Sequence, residues 1–309
     1  MDALWLEGGT ARMRTMPEPA ARAGQALLQL RVAALGPADI ATPTSFTGTP
    51  GTDAVATVLS SPLTEQIGQR VVLRHPITCG ACRSCHAQDD SHCSSPLAIA
   101  SGGLPGALSQ TFAWPASHLV PVPKAVRDYD AVMAFGLAAG RAALPNAMTV
   151  NRLLVMGDGP RPPVVALALR AHQRMVHLAV ADEQRAERLK RFELLRDPGG
   201  HFPLVVYCPC QGADLAAALR RVEPGGTILI DSSAGRTISA DLAQAIARDV
   251  RLRSLGNGSL TEALGRLAMR EVCESLAKVR EESFPLRQAD LALAAARTAG
   301  AFQVLVDNL

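Results

Sequence analysis

The middle of the chain alternates strand-like and helix-like stretches, and this alternation constrains the fold more than any other feature. The apolar stretch LLVMGDG runs into a glycine turn, followed by VVALALRAHQ, MVHLAVAD and the charged segment QRAERLKRFELL. The stretches PLVVYCP, LAAALRRV and EPGGTILIDSS repeat the pattern. Strands that alternate with helices predict βαβ units, and right-handed crossovers place such strands in one parallel sheet with helices on both faces. We therefore expect a doubly wound α/β domain over residues 125–255.

Residues 1–124 have a different character, with short strand-like runs separated by glycine and proline. Examples are ALLQLRVAAL, AVATVL, RVVLRH and HLVPVP, which predict a β-rich domain. Residues 256–309 read as helices followed by a final apolar strand. A chain of 309 residues is long enough for two such domains.

The charge and the apolar pattern argue against nucleic acid and against a membrane as partners. The net charge is only +3, and no uninterrupted apolar run of about 18 residues is present. The N-terminal residues lack the charged and then apolar pattern of a signal peptide. We expect a cytoplasmic protein, and a reducing compartment suits its seven cysteines.

Four of those cysteines, Cys79, Cys82, Cys85 and Cys93, lie within fifteen residues of a loop-like segment. Four thiolates can close a tetrahedral shell around one zinc ion, and a shell without an open position is structural rather than catalytic. Disulfide bonds or an iron–sulfur cluster are the alternatives. A bacterial-type cluster segment would have a shorter final spacing and a following proline. The spacing therefore predicts one structural zinc ion.

The turn after LLVM is the place for a dinucleotide, because it follows a strand and opens a helix. Gly157 permits the tight turn, Gly159 lets backbone approach a phosphate and Pro160 follows them. The third glycine of the dinucleotide fingerprint is replaced by Pro162, with Pro163 behind it, and two prolines remove two N–H donors. A doubly wound sheet that binds no nucleotide is the alternative.

The choice between NAD and NADP rests on the end of the next strand. Asp182 is positioned to accept hydrogen bonds from the ribose hydroxyls of NAD, unless Ala181 ends the strand and Asp182 falls in the loop. Arg185 and Arg188 could instead accept a 2′-phosphate. The sequence leaves both cofactors open.

Several segments, in this order and spacing, resemble the zinc-containing medium-chain dehydrogenase/reductases, the alcohol dehydrogenase superfamily. They are the four-cysteine segment, GQRV before it, PGTDAVATV, the GDGP turn, EPGGTILI and the closing FPLRQADLALAAARTAGAFQVLVDN. The resemblance implies a GroES-like domain over residues 1–124 that carries the structural zinc. It also implies a Rossmann dinucleotide-binding domain over 125–255, and a segment over 256–309 that returns to the first domain.

The positions that hold a second, catalytic zinc in this family carry other residues here. By the resemblance, Gly36 replaces the ligand cysteine, Ala38 replaces the hydroxyl that relays the proton, and Thr52 replaces the ligand histidine, with Asp53 beside it. The third ligand falls near Phe135. A catalytic zinc needs three protein ligands and an open position, so we expect none in this chain.

Thr52 and Asp53 are then the catalytic candidates. Asp53 buried without a cation would have a raised pKa and act as an acid, whereas the alternative is a carboxylate bonded to backbone or to an arginine. For Thr52, the alternative to a catalytic role is a satisfied hydroxyl. None of the histidines falls at a catalytic position by the resemblance, and His75 reads as a loop residue after a strand.

Three hypotheses of function follow. The first is an NAD(P)-dependent oxidoreductase without catalytic zinc, acting on an already activated small molecule such as an enone, quinone or iminium. The second is a non-catalytic scaffold that keeps the dehydrogenase fold and its structural zinc. The third is an interaction subunit without a small-molecule ligand. Family members dimerise through Rossmann edge strands, so we expect a homodimer or homotetramer built on the edge near Leu252 to Leu260.

Overall fold

The structure is a computed structural model and describes residues 1–87, 92–97, 105–172, 175–179, 187, 194–211, 215–231, 238–298 and 302–308. Within these ranges, no helix is both long and apolar enough to cross a membrane. The strands are β1 (Asp2–Glu7), β2 (Thr10–Thr15), β3 (Gln25–Ala34), β4 (Asp53–Ser60), β5 (Arg70–Leu73), β6 (Thr111–Pro115), β7 (Leu119–Pro121), β8 (Leu153–Gly157), β9 (Val176–Ala179), β10 (Leu195–Arg196), β11 (Phe202–Cys208), β12 (Val222–Ile230), β13 (Arg251–Ser254), β14 (Arg280–Pro285) and β15 (Gln303–Asp307).

The helices of the described residues are mostly short. They are α1 (Pro37–Ile40), α2 (Arg83–His86), α3 (Asp128–Ala131), α4 (Ala134–Ala142), α5 (Leu144–Ala147), α6 (Arg161–Arg170), α7 (Ala216–Leu219), α8 (Leu242–Ala247), α9 (Leu260–Leu267), α10 (Arg270–Ala277) and α11 (Ala289–Arg297). Segment QRAERLKRFELL, predicted to be a helix, falls largely outside the described residues.

The β-rich part is a seven-stranded sheet. Its strand order is β14-β15-β3-β4-β5-β7, with β6 paired to β3, while β1 and β2 form a separate hairpin. Strands β14 and β15 come from the segment 256–309, and β15 runs antiparallel to β3. Phe112 and Trp114 of β6 are fully buried and meet edge to face at 6.3 Å between ring centroids. Burying one such side chain stabilises the fold by about 1.5–3 kcal/mol.

The second sheet confirms the doubly wound α/β domain predicted from the alternating pattern. Its six strands lie in the order β10-β9-β8-β11-β12-β13 and are all parallel. The strand β11 is buried along almost its whole length, as expected for a central strand covered on both faces. Strand β12 begins earlier than EPGGTILI suggested, at Val222. The edge strand β13 overlaps the segment expected to mediate dimerisation, and dimerisation stays a prediction.

The two sheets share one continuous apolar core, which fixes how the domains meet. Helices α4 and α6 cross closely at Gly140, where an added Cβ would lie 2.5 Å from Ala168 Cβ. The cluster around them extends to Val32, Val55 and Val72 of the first sheet. This packing brings the N-terminus of α6 against the start of β4.

Candidate functional site

The four cysteines form a compact cluster that could hold a metal ion. Their Sγ atoms all lie within 4.8 Å of one another. The Cys79–Cys85 and Cys82–Cys85 sulfur pairs are 3.8 and 3.4 Å apart. A zinc ion about 2.3 Å from each of four tetrahedral sulfurs separates those sulfurs by about 3.8 Å, so the cluster fits zinc. Among the described residues it is the one group of histidine, cysteine and carboxylate side chains that meets this spacing.

Local backbone prepares the cluster for a cation. The short helix α2 carries Cys85, and Cys82 precedes its first residue. Backbone hydrogen bonds from Ser94 and then Cys85 lower the pKa of Cys82 to about 5, whereas burial and then the hydrogen bond with Cys82 raise the pKa of Cys85 to about 11. A thiol must lose its proton to bind a metal, so a lowered pKa favours binding at neutral pH. These features follow from residues close together in sequence.

The glycine turn at the end of β8 packs against the loop that follows β11. A Cβ on Gly157 would lie 2.0 Å from the carbonyl oxygen of Cys208, and one on Gly159 would lie 2.7 Å from Cys210 Cβ. The carboxylate of Asp158 accepts hydrogen bonds from the backbone N–H groups of Cys210 and Gln211, at 2.8 and 2.7 Å. Both glycines are therefore required by contacts within the chain itself.

The N-terminus of α6 retains few hydrogen-bond donors. Pro160 is the N-cap, and the first three helical residues are Arg161, Pro162 and Pro163. Of these four residues only Arg161 has a backbone N–H, and all four are buried. A phosphate at this helix end would meet one amide of the helix where an ordinary sequence offers three or four. Asp182 and Arg185, the other predicted cofactor residues, lie outside the described residues.

Three positions align with the catalytic zinc ligands of the family: Gly36, Thr52 and Phe135. Together with the neighbouring Asp53 they lie at the junction of the two domains. An added Cβ on Gly36 would lie 3.2 Å from Asp53 Oδ2. The hydroxyl of Thr52 donates to Asp53 Oδ1 at 3.2 Å. Phe135, in α4, stacks on His75 with ring centroids 5.2 Å apart and planes 12° from parallel. The positions aligned by the family resemblance therefore lie near one another, although the residues they hold differ from zinc ligands.

Asp53 is the centre of a buried group of charged side chains. Its Oδ1 is 3.0 Å from His75 Nε2, and Arg161 Nη2 donates to its Oδ2 at 3.3 Å. Arg161 Nε lies 3.8 Å from Asp231 Oδ2, at the end of β12. The side chains of Asp53, Arg161 and Asp231 are each only 7–8% exposed. A guanidinium from the second domain thus compensates carboxylates of both domains.

This arrangement decides between the two interpretations of Asp53. Burial alone raises the pKa of Asp53, but the Arg161 charge and the hydrogen bonds from His75 and Thr52 outweigh it, and the net pKa is lowered. Asp53 is therefore an ionised carboxylate bonded to an arginine, and its interpretation as a protonated acid is wrong. The physical reason is the cation that the sequence pattern could not place there.

Asp39 is a second carboxylate in the same region, with different surroundings. It is fully buried and accepts hydrogen bonds from the backbone N–H groups of Gly36 and Gly51, at 3.0 and 2.7 Å. Burial, reinforced by the nearby Asp53 charge, raises the pKa of Asp39 to about 7. The pair consists of an ionised carboxylate and a carboxyl group that is about half protonated at pH 7, because burial and the neighbouring negative charge both disfavour a second ionised carboxylate.

Sequence reasoning missed Arg161, His75 and Asp231 as members of this site. It gave Arg161 no role and placed His75 in a loop after a strand. The pairs Arg161–Asp53 and His75–Asp53 span 108 and 22 positions of sequence. A signal existed for Arg161, because a cation at the start of a helix opposes the helix dipole and calls for an anionic partner.

Comparison with known proteins gives the family of the first domain. Residues 22–124 match the model of the alcohol dehydrogenase GroES-like domain. An L-threonine 3-dehydrogenase of Legionella pneumophila (strain Corby) is 30% identical over 136 residues, which are 43% of this chain and 38% of that protein. The starvation-sensing protein RspB of Escherichia coli (strain K12) is 24% identical over 183 residues, 53% of this chain and 54% of that protein. The chain thus aligns with about two fifths to about half of these relatives' length.

Solved structures extend the likeness of the fold to the whole chain. The rspB alcohol dehydrogenase from Escherichia coli CFT073, complexed with NADH, superimposes with a TM-score of 0.83 at 15% identity, covering 99% of both chains. Alcohol dehydrogenase TADH from Thermus sp. ATN1 gives a TM-score of 0.83 at 18% identity and covers 100% of both chains. Residues 22–124 thus match the alcohol dehydrogenase GroES-like domain, and the whole chain has the fold of these alcohol dehydrogenases, in which a GroES-like domain is joined to a Rossmann domain.

Proposed function

We propose that the protein is an NAD(P)-dependent oxidoreductase that works without a catalytic zinc and holds one structural zinc in its cysteine lobe. The observation that carries the proposal is the position of the Asp53 group. It lies where the N-terminus of α6 meets the first domain, beside the glycine turn at the carboxyl end of β8. In open parallel sheets, ligands bind at this end of the strands, at the point where the strand order reverses. Here the order reverses between β8 and β11.

The turn between β8 and α6 has the topology of a dinucleotide-binding turn, but it offers fewer backbone hydrogen bonds to a pyrophosphate. Gly157 and Gly159 give the strand–turn–helix connection that a pyrophosphate needs, and the N–H of Arg161 remains as a donor. Relatives of the same fold support the cofactor class. One is complexed with NADH, and another, a zinc-binding dehydrogenase from Sinorhizobium meliloti 1021, is bound to NADP. The bound nicotinamide would supply or accept the hydride, and the choice between NAD and NADP stays open.

The chemistry of the site supports a reaction without metal. Gly36 and Phe135 offer no ligand atoms, and Asp53 already has a permanent positive partner in Arg161. A divalent ion would have to share that carboxylate with a guanidinium, which cannot lose its proton in a protein. Without a Lewis acid to polarise it, the substrate must be activated already, as an enone, quinone or iminium is, or must receive a proton from a side chain.

The test combines nucleotide binding with metal content on one sample. NADH and NADPH are titrated into purified protein by fluorescence, and zinc per chain is measured by atomic emission. Micromolar binding of one nucleotide together with one zinc per chain supports the proposal and directs a turnover screen of enones, quinones and imines. A count of two zinc ions per chain contradicts the proposal that the altered ligand positions hold no catalytic zinc.

A second candidate function, a non-catalytic scaffold, is favoured by one specific observation. Pro160, Pro162 and Pro163 remove three backbone donors from the helix end, which is also buried against the first domain. Nucleotide binding would then be weak or lost while the fold and the structural zinc remain. Failure of both nucleotides to bind at millimolar concentration, with one zinc still present, supports this candidate over the oxidoreductase.

A further inference from the structure

His75 is held in a defined orientation by three features of the site. Its Nε2 is 3.0 Å from Asp53 Oδ1, and its ring lies against the Phe135 ring at 5.2 Å. Its side chain is 20% exposed, in contrast to the 7% of Asp53. Within the described residues, Nδ1 makes no hydrogen bond. The imidazole therefore presents one bonded edge to the buried charges and leaves the other edge free.

Asp53, the partner of Nε2, determines which nitrogen of the neutral His75 imidazole carries the proton. Asp53 carries a negative charge, because Arg161 and the hydrogen bonds from His75 and Thr52 outweigh the effect of burial on its pKa. A carboxylate accepts and cannot donate, so Nε2 carries the proton and Nδ1 carries the lone pair. The ring is then a base at Nδ1, and the imidazolium that forms there is stabilised by the adjacent carboxylate.

The charged groups around His75 come from both domains. Asp53 bonds to its Nε2, Asp39 lies close enough to interact electrostatically with His75, and Arg161 of α6 is shared between Asp53 and Asp231. His75 therefore adjoins a buried group in which carboxylates and a guanidinium already compensate one another.

We propose that His75 is the residue that moves the proton in the reaction of this site, with Asp53 as its positioning residue. The inference rests on the proposed oxidoreductase function. In alcohol oxidation, the O–H bond breaks and its proton goes to the lone pair of His75 Nδ1. The O–H electron pair forms the C=O π bond, and the C–H electron pair would leave with the hydride, which a bound oxidised nicotinamide would accept. In reduction, a bound reduced nicotinamide would supply the hydride for the new C–H bond, and the C=O π pair moves to the substrate oxygen. That oxygen takes the proton from the imidazolium Nδ1–H, whose electron pair stays on Nδ1.

The kinetic test compares His75→Ala with His172→Ala, a histidine at the end of α6 and far from the Asp53 group. General acid–base catalysis contributes about 10²–10⁴-fold, so kcat of His75→Ala should fall at least about 100-fold, with nucleotide affinity unchanged. Added imidazole should restore part of the lost activity in this variant alone. Asp53→Asn should lower kcat without any response to imidazole. His172→Ala should keep wild-type kcat.

The outcomes separate this inference from the proposed function. If the wild type turns over a substrate and His75→Ala retains its kcat, the inference fails and the oxidoreductase stands. If the wild type binds no nucleotide, or turns over none of the screened substrates, the oxidoreductase fails and the inference with it. An independent measurement is the ¹⁵N spectrum of the imidazole, assigned by its loss in His75→Ala. The Nε2–H tautomer is expected in the wild type, and an Nδ1–H tautomer overturns the inference whatever the activity.

Discussion

The buried guanidinium of Arg161 can be tested most directly by removing it. Arg161→Met keeps much of the side-chain length and leaves Asp53 and Asp231 without their shared cation. Breaking a buried ion pair by removing one partner costs about 3–5 kcal/mol, because the remaining charge stays uncompensated. The contacts here are long, at 3.3 and 3.8 Å, and Asp53 keeps hydrogen bonds to His75 and Thr52. We therefore expect the lower end, about 3 kcal/mol.

That loss converts to a measurable shift in melting temperature. For chains of roughly this size each kcal/mol corresponds to about 2–4 °C, so the variant should melt about 6–12 °C below wild type at pH 7. The matched control is Arg270→Met, which removes an exposed ion pair to Glu274 on α10 and should melt close to wild type. The melting temperatures of the wild type and all variants are measured by circular dichroism at one fixed scan rate.

The pH dependence of the difference tests its cause. In the wild type the pKa of Asp53 is lowered, so its stabilising contribution is present above about pH 4 and is lost as pH falls further. Without Arg161 the pKa of Asp53 rises, and protonation relieves the buried charge as pH falls from 7 towards 4. The difference in melting temperature between Arg161→Met and wild type should therefore become smaller as the pH is lowered. The double variant Arg161→Met/Asp53→Asn should recover much of the loss, and a double variant less stable than Arg161→Met would refute the reasoning.

Three further predictions concern the metal lobe, the turn and the second carboxylate. Cys82→Ser should lose the zinc and lower the melting temperature while nucleotide affinity stays unchanged, as metal analysis and titration would show. Pro162→Gly should tighten NADH or NADPH binding by about tenfold, because a restored N–H to a phosphate is worth about 1.5–3 kcal/mol, and an unchanged Kd contradicts a role for the prolines. The pKa of Asp39 is raised to about 7, so wild-type stability should fall as pH rises from about 4 to 7. Asp39→Asn should remove that slope in melting curves, and an equal slope in both proteins counts against a raised pKa.

The parts of the structure that the sequence predicts well are those encoded by local patterns. The parallel sheet follows from strands alternating with helices, because each βαβ unit fixes its own handedness and neighbours. The cysteine cluster follows from a spacing of a few residues, and Cys79 to Cys93 do meet within 4.8 Å. The expectation that residues 256–309 return to the first domain came from the family resemblance instead, since no local pattern says which sheet a C-terminal strand joins.

The electrostatics of the site could not be predicted in the same way. Gly36, Thr52 and Asp53 show that the zinc ligands of the family are absent at these positions. No residue near them in sequence shows which side chains occupy that space instead. Arg161 reaches Asp53 from the other domain, and His75 reaches it from the loop after β5. The sign of the Asp53 pKa shift depends on that one long-range contact, because burial alone would have raised it.

The loss of metal ligands and the presence of Arg161 are physically connected. Without Arg161, the carboxylates of Asp53 and Asp231 would lose the guanidinium that lies beside both of them, and a buried charge without its counter-charge is costly. A guanidinium at the start of α6 removes this cost permanently, since it keeps its charge at every pH at which the protein folds. A fixed guanidinium, unlike a metal with an open position, cannot exchange a ligand for a substrate oxygen. In the proposed function a side chain therefore moves the proton, and His75 combines a bonded Nε2 with an Nδ1 that bonds to none of the described residues.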